Sequence, residues 1–149
     1  MISRILVPTD GSETAQKAAR YAIDLAAQLK CSIIVLSIAD NRSLIARTIP
    51  AQENARHILE PVEDYLREAA GAYAREIKRM CDEKGIRSEI LVTSGHPSEE
   101  ITKQAERSNS DLIVMGSHGR SALAAALFGS ITYSIIHKET KIPVLVVRR

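Results

Sequence analysis

Four nearly continuous apolar runs mark the chain: Ile5-Leu6-Val7, Ile33-Ile34-Val35-Leu36-Ser37-Ile38, Leu112-Ile113-Val114-Met115 and Val144-Leu145-Val146-Val147. A strand with one wet face alternates apolar and polar residues. A run that is apolar at every position needs cover on both faces, as in a sheet lying between helices. Residues 87–93 alternate around Ile90 and Val92 and read as a further strand, third in chain order. Between the strands the period changes to three and four. Ala18, Ala19, Ala22, Ile23, Ala26 and Leu29 form one helical stripe. Val62, Tyr65, Leu66, Ala69, Tyr73, Ile77, Met80 and Cys81 form a longer one, which Gly85 stops. A short helix is expected after Ser98 as its cap, with Glu99 and Glu100 in its first turn and Ile101 and Ala105 as its apolar positions. The last helix is expected over residues 131–139, capped by Ser130. Pro143 cannot donate to a ladder, so it belongs at the start of a strand or on an edge. Five strands alternating with helices give a parallel sheet with right-handed crossovers. The fold class is therefore α/β: a single doubly wound domain over residues 1–149, with helices on both faces. Residues 40–60 fit no period. Asn41, Arg42, Pro50 and Pro61 interrupt them, and a long loop with one helical turn is expected.

Bulk properties exclude several functions. A formal net charge of +2 without clustered Lys or Arg argues against nucleic acid as a partner. Four Tyr, one Phe and no Trp leave little for stacking single-stranded bases. Cys31 and Cys81 lie far apart in apolar surroundings, without zinc-site spacing, and are expected in the core. Residues 1–4 run directly into a strand and show no signal-peptide pattern, and no apolar run reaches membrane-spanning length. A cytoplasmic protein that does not use the membrane is expected.

In open parallel sheets, ligands bind beyond the carboxyl ends of the strands, where strand order reverses. If the order is 3-2-1-4-5 or a close relative, the reversal lies between the first and fourth strands. The loops that follow those strands are the richest in special residues: Thr9-Asp10-Gly11-Ser12, and Gly116-Ser117-His118-Gly119-Arg120-Ser121 with its continuation to Gly129-Ser130. Gly116 and Gly119 let the backbone turn with its N–H groups uncovered. Gly129-Ser130 stands at a helix start, where free N–H groups and the helix dipole favour an anion. Strand, glycine loop and helix start together suit a phosphate. Beside it, Asp10 has three readings: an acceptor for ribose hydroxyls, a group facing a metal carried in with a nucleotide, or a plain Asp-Gly turn with Ser12 capping. Ile38 and Ala39 would border the same cleft and offer a base an apolar wall.

The spacing Gly116-x2-Gly119-x9-Gly129-Ser130 resembles the G-x2-G-x9-G-[ST] signature of the ATP-binding branch of the universal stress protein family. The resemblance spans the chain. Val7-Pro8-Thr9-Asp10-Gly11-Ser12 looks like the family's opening strand and its Asp, Gly95-x-Pro97 like the loop after its third strand, and the segment from Ile142 onward like its last strand. It implies strand order 3-2-1-4-5, bound ATP (with AMP as the alternative) and Mg2+ entering with the nucleotide. Adenine is implied against Pro8, Thr9 and Asp10 with Ile38 or Ala39. The phosphates are implied at Gly116, Gly119, Gly129 and Ser130, with Ser117, His118 and Arg120 close by and Ile131 in reach through its N–H. A homodimer through the last strand, Val144–Val147, is also implied, which suits an apolar edge that needs covering.

No lysine follows these glycines as in a P-loop, and Arg120 is only a partial substitute. None of His57, His96, His118 and His137 stands in a triad-like pattern, and His118 is expected as a solvent-facing loop residue. His137 suits a helix C-terminus. The expected function is an ATP-binding, stress-response switch or sensor with little or no catalysis, read by an unidentified protein partner. The alternatives are a slow ATP hydrolase and a flavodoxin-like redox protein. The latter is suggested faintly by Thr9-Asp10-Gly11-Ser12-Glu13-Thr14 but lacks aromatic rings in its loops.

Overall fold

The computed structural model describes residues 1–41, 56–119, 128–138 and 140–149, with the backbone alone for 56–60. Five strands form one parallel sheet: β1 (Arg4–Thr9), β2 (Ser32–Ala39), β3 (Ser88–Ser94), β4 (Leu112–Gly116) and β5 (Val144–Val147). Their order is β3-β2-β1-β4-β5, and every pairing is parallel. The continuous apolar runs account for this placement. Ile5, Leu6 and Val7 of β1 and Ile113 and Val114 of β4 are fully buried, since the sheet is covered on both sides.

The helices in the described residues are α1 (Glu13–Leu29), α2 (Arg56–Glu83), α3 (Pro97–Arg107) and α4 (Ser130–His137). One core layer joins Ala18, Ala22 and Ala26 of α1 and Ala74, Ile77 and Cys81 of α2 to Ile5, Val7, Ile33 and Val35. The other joins Ile101 and Ala105 of α3 and Ile135 of α4 to Leu6, Ile34, Leu36 and Ile113. Small residues on α1 let that helix lie close to the sheet. Both cysteines are buried and unpaired, and burial pushes both thiols up, which keeps them protonated and inert.

Three details differ from the sequence reading. Helix α2 begins at Arg56 and continues through Pro61, so the proline does not end the irregular segment. It is the sixth residue of the helix and removes one i→i−4 hydrogen bond without ending it. Helix α3 is capped by His96 rather than Ser98, with Pro97 as the first helical residue, where its missing N–H costs nothing. Ser98 is buried, with its Oγ 3.1 Å from His96 Nδ1. Helix α4 is capped by Gly129, and Ser130 is its first residue. The rest of the expected 40–60 loop falls on residues 42–55, outside the described residues.

Ser12 does cap α1, its side chain accepting a hydrogen bond from Ala15 N at 3.2 Å. Ser12→Ala is expected to lower stability by about 1 kcal/mol, measured by urea unfolding. The starts of β1 and β4 are tied by Asp111, whose Oδ2 accepts from Ser3 N, Ser3 Oγ and Arg4 N. Those donors hold its carboxyl below the usual carboxylate range.

Candidate functional site

β1 lies between β2 and β4, so the chain leaves the carboxyl ends of β1 and β4 in opposite directions and a crevice opens between them. The loops after these two strands meet there. A Cβ built on Gly119 would stand 2.7 Å from Asp10 Oδ2, so the carboxylate lies directly against the Gly119 backbone and a side chain there would displace it. Asp10 Oδ1 accepts from Ser12 N at 2.9 Å, and Thr9 Oγ1 from Gly11 N at 3.2 Å. One carboxylate oxygen therefore shapes the turn while the other lies against the glycine loop.

The start of α4 is clamped to the end of β4. Gly129 N donates to Ser117 O at 2.7 Å, Ser117 N to Val147 O at 2.9 Å, and Thr132 Oγ1 to Gly116 O at 2.9 Å. A Cβ on Gly129 would meet His118 Cα at 3.2 Å and Gly119 N at 3.3 Å. The first amides of α4 have no acceptor within their own helix, and the dipole makes this end partly positive.

These loops enclose a cleft of about 260 Å³. It is lined by Pro8, Thr9, Asp10, Ile38, Ala39, Gly116, His118, Gly119, Gly129, Ser130 and Ile131, all expected from the sequence. Two expected residues are not among them. Ser117 is 1% exposed and is spent on the β5 and Gly129 bonds, while Arg120 lies outside the described residues. His118 is not solvent-facing: it is 8% exposed, with Nδ1 2.8 Å from Ser117 Oγ. The role of Gly116 also differs. A Cβ there would meet the backbone of Thr14 at 3.0 Å, so this glycine lets α1 pack against β4.

The sequence reading missed the α2 wall of the cleft, formed by Leu66, Ala69, Ala70 and Tyr73. Their i, i+3, i+4, i+7 spacing marked a buried face, but nothing in it located that face above the crevice. The described lining residues include no Lys or Arg, while the first residues of α4, Ser130 and Ile131, border the cleft. Among the described residues no group of three or more His, Cys, Asp or Glu is placed to hold a metal ion. No helix among them is long and apolar enough to cross a membrane.

A parallel sheet of order 3-2-1-4-5 with a crevice at its switch point defines a doubly wound α/β domain. The family model of the universal stress proteins matches residues 1–148, and the chain belongs to that family. Universal stress protein MJ0577 of Methanocaldococcus jannaschii is 33% identical over 157 residues, spanning 100% of this chain and 96% of that protein. Its solved structure superposes with a TM-score of 0.87, covering 100% of this chain and 97% of that one. Universal stress protein MJ0531 of the same organism is 30% identical over 149 residues, spanning 100% of this chain and 84% of that protein. A universal stress protein solved in complex with cAMP shares the fold at 24% identity, with a TM-score of 0.66, covering 98% of this chain and 96% of that one.

Proposed function

We propose that this chain binds ATP in the β1–β4 crevice and acts as a nucleotide-dependent switch or sensor in a stress response, with little or no catalysis. The observation that carries the reading is the meeting of Asp10, Gly119 and the α4 start around one cleft. The fit is chemical as well as steric. Gly119, Ser130 and Ile131 offer amides to phosphates, while Pro8, Ile38 and Ala39 offer a base an apolar surface. The cAMP held by a solved relative supports an adenine nucleotide as the ligand class. In this reading Mg2+ enters with the nucleotide, on its phosphates. ATP is preferred over AMP in this reading because the glycine loop and the α4 start together offer amides to more than one phosphate. Family membership displaces the flavodoxin-type alternative. Hydrolysis, if measured, is slow: the described cleft lining has no Lys or Arg to stabilise charge on a transferred phosphate.

Native mass spectrometry of the purified protein tests the reading. A co-purified mass of ATP or AMP is expected; a bare chain that also fails to take up added nucleotide contradicts it.

The same reading includes a homodimer. Among the described residues β5 pairs only with β4, and Val144, Leu145 and Val146 stay half-buried on an edge that calls for cover. Val146→Asp is expected to convert dimer to monomer in light scattering while leaving ATP affinity within about two-fold, because a charge buried at an interface costs several kcal/mol.

A further inference from the structure

The apolar stripe of α2 changes partners along its length. Towards its carboxyl end Ala74, Ile77 and Cys81 are buried in the core, where the helix packs over β2 and β3. Further towards its amino end the same face, now Leu66, Ala69 and Tyr73, runs past the sheet and lines the cleft. Tyr73 is fixed at the join. A Cβ on Gly11 would lie 2.4 Å from Tyr73 Cδ1 and Cε1, so the ring packs directly on the Gly11 backbone, one residue beyond Asp10. Gly11 has φ +77°, a conformation open chiefly to glycine, and this leaves the turn bare for the ring. Tyr73 carries the only benzenoid ring among the described lining residues, and Ala69 and Ala70 beside it are too small to fill the space.

We propose that Tyr73 is a binding residue that contacts the nucleoside half of the ligand, on the α2 side of the cleft. This rests on the adenine-nucleotide reading above and deepens it. Helix α2 packs over β2 and β3, whereas the glycine loop and α4 follow β4 on the other side of β1. The α2 side of the cleft presents Leu66, Ala69, Ala70 and Tyr73, with no cation among them. Such a wall gives a phosphate no charged partner and suits a flat, uncharged heterocycle. A ring already held by Gly11 loses little freedom when a purine packs on it.

The test is calorimetric binding of adenosine, AMP and ATP to the unmodified protein, Tyr73→Phe and Tyr73→Leu. Tyr73→Phe is expected within about two-fold of the unmodified protein, because the ring remains. Tyr73→Leu is expected to weaken all three ligands by one common factor, about 5- to 160-fold, the range for losing a base–aromatic contact. Unchanged affinity in Tyr73→Leu, or a loss that grows with phosphate number, overturns the assignment while leaving the adenine-nucleotide reading intact. Failure of the unmodified protein to bind any of the three overturns both. Should Tyr73→Leu not fold, the adenosine complex of the unmodified protein decides the matter by NMR. Cross-relaxation between purine H2 or H8 and the Tyr73 ring protons is expected, and its absence contradicts the placement.

Discussion

Gly129→Val is expected to weaken ATP binding by at least about 100-fold while the protein remains folded. Gly129 has φ −67° and ψ 161°, extended backbone that valine adopts readily, so the substitution adds no strain of its own. The damage comes from contact. The first added carbon meets His118 Cα at 3.2 Å and Gly119 N at 3.3 Å, and valine carries two further carbons beyond it. The glycine loop and the α4 start have to separate, which displaces the Gly119 amide on one side and the adjoining Ser130 amide on the other, both assigned to the phosphates. Each hydrogen bond to a charged group contributes about 1.5–3 kcal/mol, so misplacing two costs about 3–6 kcal/mol. Titration calorimetry with ATP measures the loss, and circular dichroism checks the fold. Normal affinity in this variant would show that the phosphates sit elsewhere.

Gly11→Ala is expected to produce the largest loss of stability, about 2–5 kcal/mol. A left-handed conformation costs a residue with a Cβ about 1–2 kcal/mol, and the backbone here has φ +77°. The new methyl also collides with the Tyr73 ring, 2.4 Å from two of its atoms. Forcing an extra carbon into a packed site costs about 1–3 kcal/mol. Against a typical total of about 5–15 kcal/mol this is a large share. Denaturant unfolding measures it, and the Gly11→Ala, Tyr73→Ala pair separates the terms. Truncating the ring is expected to relieve the collision and leave the backbone cost. A single variant within about 0.5 kcal/mol of the unmodified protein would rule out the Gly11–Tyr73 packing.

The strands were open to a reading of the sequence because the physical signal is local, whereas their order, 3-2-1-4-5, came from the common pattern of such sheets and from the family resemblance. A run such as Ile5-Leu6-Val7 is apolar at every position only if helices cover both faces, and the alternation of periods then dictates parallel crossovers. The meeting of the loops that hold Asp10 and Gly119 followed from that order, taken together with the special residues the two loops carry. What stayed hidden depends on tertiary distances. Ser98 and Ser130 were plausible caps by residue type, yet the caps are His96 and Gly129. At α3, Pro97 is preset for the first helical position, and at α4 the tie from Gly129 N to Ser117 O fixes where the helix begins. The burial of His118 required knowing that Ser117 Oγ would face its ring. Tyr73 was visible as part of a buried stripe, but how far α2 extends past the sheet is not encoded in the stripe's period.

A crystal structure of the protein with Mg·ATP addresses the phosphate assignment most directly. The triphosphate is expected against the amides of Gly119, Ser130 and Ile131, with the adenine at the ends of β1 and β2. Clear nucleotide density outside the β1–β4 crevice, or a triphosphate directed away from the glycine loop, would contradict it.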